Sequence, residues 1–253
     1  MKPIQFKNGR GQTLRGFIHV PQQYDTVIVF LHGFPSHCAG FSASRYAKLL
    51  ERTNYLFLTF DFSHTDTSDG KFEDKLMSNE VKDIRSAIDF LDKNYGFKKL
   101  ILIGHSTGAI DGALYAHTDS RITKLILTGA VGNLKTSVRF DFTDVQVRDF
   151  WKNGHIIYDA PEKWYHHKKL KKSFYDEFFT LDIPTAIAKF KKPLLIVHGE
   201  KDEDVELKAA EELFSLANQP KKMVVITGAD HSFTQPKHGK KLLKVVGKFI
   251  EGK

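Results

Sequence analysis

Apolar runs that stop at glycine or aspartate alternate along this chain with segments whose apolar residues recur at helical spacing. "TVIVFLHG" (26–33), "YLFLTFDF" (55–62), "KLILIGHS" (99–106), "KLILTGAVG" (124–132), "PLLIVHGE" (193–200) and "KMVVITGAD" (222–230) are β-branched or aromatic runs of strand length. That is the pattern of strands buried on both faces of a parallel sheet. "IQFKN" and "TLRGFIHV" read as two opening strands. Over 78–95, Val81, Ile84, Ile88 and Leu91 share one helical face, with Ser78 available as N-cap and Gly96 where a C-terminal glycine belongs. Strand, helix, strand repeated in this way predicts an α/β fold, a mostly parallel sheet with helices on both faces.

One segment breaks the rhythm. Residues 135–190 contain no run like the core strands and are rich in aromatics, among them Phe142, Phe150, Trp151, Tyr158, Trp164, Tyr165 and Phe174. The segment is too long for an ordinary connection. The organisation expected is a core of residues 1–134 and 191–253 carrying a lid or cap insertion over 135–190.

Composition narrows the class. A chain of 253 residues with 41% hydrophobic residues can bury a full core. The N-terminus has no uninterrupted apolar stretch of signal-peptide type, and the other apolar runs fall far short of the ~18 residues of a membrane span. A cytoplasmic protein without a membrane span is expected. The single cysteine, Cys38, excludes an intrachain disulfide and a thiolate zinc site. A net charge of +8 raises nucleic-acid binding, but the lysines are spread among 30 acidic residues. Only "KWYHHKKLKK" (163–172) and "KHGKKLLK" (237–244) are locally basic, and no nucleic-acid-binding signature accompanies them. A solvated basic face is expected, with no nucleic acid as partner.

The chemistry centres on Gly104-His105-Ser106-Thr107-Gly108, a G-x-S-x-G stretch where a buried strand turns into a helix. Small residues on both sides allow a sharp, strained turn that presents the serine Oγ above the sheet, with the Thr107 N–H facing developing negative charge. Serine needs a base, and the base needs an acid. In parallel sheets these collect at the carboxyl ends of later strands. Glu200-Lys201-Asp202-Glu203-Asp204 follows one such strand and Asp230-His231-Ser232 follows the last, giving the chain order Ser, Asp, His. Of the twelve histidines, only His231 follows the last strand on a short loop with a helix to come. His32, His105 and His198 sit beside strand-end glycines and read as turn or loop-packing residues. The adjacent His166 and His167 lack metal-pair spacing. For the acid, Asp202, Glu203 and Asp204 are all available. "FLHGFPSH" supplies the second oxyanion donor: Gly33 lets the backbone turn, Phe34 has the N–H, and Pro35 has none. Asp111, on the helix after Ser106, reads as a packing or capping group, and Cys38 as a small buried residue.

Taken in order, "HGF" (32–34), "FDF...SDGKFED" (60–74), "GHSTG" (104–108), "PLLIVHGEKDEDV" (193–205) and "GADHSF" (228–233) resemble the serine α/β-hydrolase superfamily. Within it, the chain is similar to feruloyl or cinnamoyl esterases and related serine-aminopeptidase-like hydrolases. The resemblance covers nearly the whole chain. It implies Ser106 as nucleophile, His231 as base, Asp202 as acid, and the N–H groups of Phe34 and Thr107 as oxyanion hole. It also implies an eight-stranded sheet whose second strand is antiparallel, with a lid after the sixth. Two departures bear on acyl or alcohol preference. Ser63-His64-Thr65-Asp66 replaces the usual glycine-containing R/N-G-H-G stretch, and Thr107 stands where many feruloyl-type enzymes have glutamine.

The expected activity is hydrolysis of small to medium apolar or aryl (hydroxycinnamoyl-like) carboxylic esters through an acyl-enzyme, with no cofactor and no metal. Tyr158, Trp164 and Tyr165 are the candidate substrate contacts. A thioesterase or a peptidase would use the same triad, and a non-catalytic ligand-binding protein would share the fold. A small-molecule ester is the expected partner, and a homodimer stays open.

Overall fold

The computed structural model describes residues 1–252, so Lys253, the last residue of the expected core segment, lies outside the described residues. Ten strands run in chain order: β1 (Lys2–Lys7), β2 (Thr13–His19), β3 (Thr26–Leu31), β4 (Tyr55–Phe60), β5 (Lys99–His105), β6 (Ile122–Thr128), β7 (His155–Ile157), β8 (Lys169–Lys171), β9 (Leu194–Gly199) and β10 (Lys221–Ile226). The helices are α1 (Phe41–Ala47), α2 (Met77–Asn94), α3 (Thr107–Ala116), α4 (Leu134–Asp141), α5 (Asp144–Asn153), α6 (Lys172–Glu177), α7 (Ile183–Lys189), α8 (Leu207–Leu216) and α9 (Pro236–Glu251).

Eight strands form one sheet in the order β1-β2-β4-β3-β5-β6-β9-β10. β2 is antiparallel to both β1 and β4, and along the sheet from β4 through β3, β5, β6 and β9 to β10 each adjacent pair is parallel. The continuous apolar runs are explained by cover on both faces. Along β3, Val27, Val29 and Leu31 enter one core while Ile28 and Phe30 enter the other. The first core is closed by α2, α3, α7 and α8, through residues such as Ile84, Ala113, Ile187 and Leu213. The second is closed by α1 and α9, through Tyr46, Leu242 and Val246. Register brings the strand ends to one edge, since Leu31 pairs with Gly104, and His105 with Thr128. Loops that follow β3, β5, β6, β9 and β10 therefore converge.

α2 differs from expectation at its start. Ser78 is not its N-cap: the helix begins at Met77 behind an extended Leu76, with no side-chain cap. The Ser78 N–H instead donates to Glu177 on α6 at 3.3 Å, so a distant acceptor replaces the local one. At the other end Gly96 is left-handed, with φ +61°, and its N–H donates to the Leu91 carbonyl.

Between β6 and β9 the chain adds α4 to α7 and the antiparallel pair β7–β8. Thr143 and Gln146 cap the start of α5 reciprocally, and left-handed Gly154 ends it. Phe142, Phe150, Phe174 and Phe178 are buried and continuous with the first core. α7 packs on α3 and α8. Among the described residues no helix is long and apolar enough to cross a membrane.

Candidate active site

Ser106 stands between β5 and α3 with φ +57° and ψ −125°, a conformation that L-residues avoid. The turn is this tight because a Cβ on Gly104 would lie 2.3 Å from the Gly108 carbonyl oxygen, and one on Gly108 would lie 2.3 Å from that of Leu31. Thr107 is the first residue of α3, so its N–H has no acceptor within the helix. The HGF loop runs beside the serine: a Cβ on Gly33 would come within 2.8 Å of Ser106 Cβ and 3.4 Å of its Oγ. Thr107 and Phe34, both expected as N–H donors, thus lie on the two segments that flank Ser106.

Asp202 and His231 meet. The His231 Nδ1 lies 2.8 Å from Asp202 Oδ2. The other carboxylate oxygen accepts the N–H groups of Asp204 at 3.0 Å and Val205 at 2.8 Å, which fixes the carboxylate plane. Among the three acids available, Asp202 is the one on the histidine, and its side chain is 1% exposed. Burial alone would lower the His231 imidazole. The hydrogen bond and charge of Asp202, with Asp204 and Asp141 adding to it, outweigh that and hold it above its ordinary value.

The Thr128–Gly129 segment links serine to histidine. Ser106 donates its N–H to the Thr128 carbonyl at 2.9 Å, and Gly129, with φ +58°, faces the His231 ring, where a Cβ would lie 2.5 Å from Cε1. Ser106 Oγ makes no hydrogen bond to His231 among the described residues; such contacts commonly tighten only with substrate bound. Two further histidines surround the pair. The His105 ring lies 4.9 Å from that of His231, and burial, then the proximity of His231, pushes its imidazole well below the ordinary range. His198 is fully buried, with Nε2 2.9 Å from the Val205 carbonyl and 3.4 Å from Asp202. Both were readable as strand-end histidines, but their contact with the Asp–His pair was not.

Asp141, at the end of α4, had no signal in the sequence. It interacts with His231 and Asp204, and crowding by its neighbours, with the charge of Asp204 adding to it, raises its carboxyl above the ordinary range although the residue is exposed. Tyr158 feels that carboxyl, and burial pushes its phenol upward. Tyr158 also packs on Phe34 with centroids 6.1 Å apart, Tyr165 packs on Tyr158 at 5.3 Å, and the Trp164 Nε1–H donates to the Pro35 carbonyl at 2.9 Å. Tyr158 and Trp164 therefore meet Phe34 and Pro35, and Tyr165 packs on both of these rings. Cys38 is buried, and its N–H donates to Asp61. Asp202, Asp204 and His231 bring potential ligand atoms within 4.8 Å of one another, but Asp202 and His231 are already bonded to each other.

This sheet order, with a strained serine at the turn after its central strand, defines an α/β hydrolase. A family model described as serine aminopeptidase, S33 (Hydrolase_4) matches residues 22–236, and the chain belongs to that family. Among solved structures, it is similar to Est1E from Butyrivibrio proteoclasticus with ferulic acid bound, at 22% identity and TM-score 0.81, covering 98% of each chain. It is also similar to the Pyrococcus furiosus esterase Pf2001, at 20% identity and TM-score 0.78, covering 99% of this chain and 90% of that one. A Mycoplasma genitalium protein named "Putative esterase/lipase 2" is 31% identical over 123 residues, which are 48% of this chain and 44% of that protein.

Proposed function

We propose that the protein is a serine carboxylesterase that works through an acyl-enzyme. The reading rests above all on the 2.8 Å contact of His231 Nδ1 with the enclosed Asp202, with His231 set against Gly129 beside the strained Ser106. Ser106 Oγ attacks the ester carbonyl while His231 Nε2 takes its proton. Asp202 holds the imidazole in the tautomer that leaves Nε2 free and stabilises the imidazolium that forms. The carbonyl oxygen, now an oxyanion, is received by the N–H groups of Phe34 and Thr107. The proton on His231 then passes to the leaving alcohol, and water repeats the sequence on the acyl-enzyme.

The acyl group fits beneath the insertion. Tyr158, Trp164 and Tyr165 give an aromatic wall, while Asp141, which acts on His231, and the Tyr158 phenol, which senses Asp141, add two polar groups. Aryl acyl groups with a hydroxyl suit such a wall, in line with the ferulic acid bound to Est1E.

A fluorophosphonate probe tests the reaction. It is expected to label the unmodified protein and to fail on Ser106→Ala, which stays folded because alanine is small enough for the turn. Labelling that survives in Ser106→Ala rejects the mechanism. A panel of p-nitrophenyl esters, methyl hydroxycinnamates, acyl-CoAs and aminoacyl amides separates esterase from thioesterase and peptidase by kcat/KM.

A further inference from the structure

Asp111 lies one turn along α3 from Thr107, fully buried, and neither carboxyl oxygen meets a hydrogen-bond donor among the described residues. Its polar neighbour is a second acid, Glu80 in the first turn of α2, which is itself buried and ion-paired with Lys75. The Lys75 side chain is 1% exposed; its Nζ also donates to Thr65 Oγ1 at 2.6 Å and stands 5.7 Å from the centroid of the Phe34 ring. Glu177 on α6 is a further acid felt by Asp111. Asp111 and Glu80 thus share one ammonium in a site closed to water, with the half-buried Glu177 acting on Asp111 from α6.

Such a group cannot all be charged. Burial, then the charge of Glu80, raises the Asp111 carboxyl well above its usual range. A carboxyl raised in this way holds its proton more readily, and a protonated Asp111 has an O–H to give to Glu80. The orphaned oxygens are accounted for in this way: two ionised carboxylates offer each other no donor, whereas a shared proton makes a hydrogen bond. The chain of contacts then runs from α3 through Asp111, Glu80 and Lys75 to the loop of Thr65 and the ring of Phe34.

A buried ion pair adds little stability over well-packed apolar side chains of the same volume. Its bonds are directional, however: Lys75 ties Glu80 on α2 to Thr65, and the same ammonium stands against the ring of Phe34, whose N–H is one of the proposed oxyanion donors. Phe34 is held from its other sides by Phe72 at 5.9 Å, Phe174 at 4.9 Å and Tyr158 at 6.1 Å. We propose that the Lys75–Glu80–Asp111 cluster is a positioning unit for the oxyanion hole, setting the Phe34 loop against the N-terminus of α3. This rests on the serine-esterase reading above. All three side chains are buried, so they act on the reaction through Phe34 and Thr107.

The test separates positioning from packing and from substrate binding. Each variant is compared by kcat per site titrated with fluorophosphonate, by KM for p-nitrophenyl acetate and butyrate, and by inhibition with an aryl trifluoromethyl ketone, which forms an oxyanion on the serine. Asp111→Leu is expected to lower kcat about tenfold with KM within about twofold for both esters, and to weaken the ketone in proportion, a fraction of the loss caused by deleting an oxyanion donor. Asp111→Asn, whose amide can donate to Glu80, is expected to retain most of kcat. Should leucine at 111 prevent folding, the charge-neutral pair Lys75→Met with Glu80→Gln carries the same expectation. Unchanged kcat in a folded disruptive variant, an effect confined to KM, or asparagine as damaging as leucine overturns the proposal. Absence of labelling in the unmodified protein would instead overturn the esterase reading, and the proposal with it.

Discussion

Replacing Gly129 by alanine tests whether His231 must occupy its observed position. The added Cβ would lie 2.5 Å from Cε1, 3.0 Å from Nδ1 and 3.4 Å from Nε2 of that ring. Carbon atoms rest at about 3.5–4.0 Å, so the ring must retreat by ~1 Å or more. A misplacement of ~1 Å in a reacting group costs on the order of 10²-fold in rate. Alanine at φ +58° adds a backbone penalty of ~1–2 kcal/mol. Gly129→Ala is therefore expected to lower kcat by about two orders of magnitude, to slow fluorophosphonate labelling equally, and to reduce thermal stability modestly. Gly154→Ala separates the two effects. Gly154 is also left-handed, at φ +72°, but its Cβ would meet nothing within 4 Å, so only the stability cost is expected there. Ester hydrolysis with active-site titration and a thermal melt on both variants are sufficient. Turnover in Gly129→Ala within about twofold of the parent would show that His231 is not the base, or that its position is not critical.

Asp202→Asn is expected to stay folded and to lose about 10⁴-fold in kcat, whereas Asp204→Asn should lose little; the reverse order would move the acid to Asp204. The base must be neutral, so kcat/KM should rise with pH along a limb above the 6.5 of free imidazole, because Asp202 outweighs burial at His231. Asp141→Asn should move that limb to lower pH, since Asp141 also raises the imidazole; a limb that stays fixed removes Asp141 from the cleft's electrostatics. The raised imidazole contributes stability that is complete below its unfolded value and lost as pH rises through its folded one, which melts of the parent and His231→Gln across the neutral range will read. Chelators should leave activity unchanged, and a loss restored by a divalent cation would reject the metal-free mechanism.

The central strands β3, β4, β5, β6 and β9 were legible because they are buried on both faces. Alternate residues of β3 enter opposite cores, so no polar residue interrupts the run, and the same holds for β5 and β9. The opening strands read less clearly, since β1 lies at the sheet edge with most of its side chains exposed. The Ser78 cap failed for a different reason. Capping is a local rule, and here the first turn of α2 finds its acceptor on Glu177, 99 residues away.

The site divides along the same line. The meeting of Asp202 with His231, near the turn of Ser106, could be read because each of the three follows a strand, where chain order and sheet topology jointly decide what comes together. Asp141 and the Lys75–Glu80–Asp111 cluster could not, because their behaviour depends on who else is enclosed with them. An aspartate five residues past a serine carries no mark of being buried against another acid. The aromatics of 135–190 show how far composition reaches. Their apolar area had to be covered by something, and sequence alone could not say whether by substrate or by protein. Trp164 settles part of the question through its bond to the Pro35 carbonyl, and Tyr158 through its packing on Phe34. Whatever these rings do for an acyl group, they also bear on the loop that carries the Phe34 N–H. Substitutions there should therefore be compared by kcat as well as KM: an effect on KM alone marks a wall for substrate, and an effect on kcat shared by every ester marks a brace for the oxyanion loop.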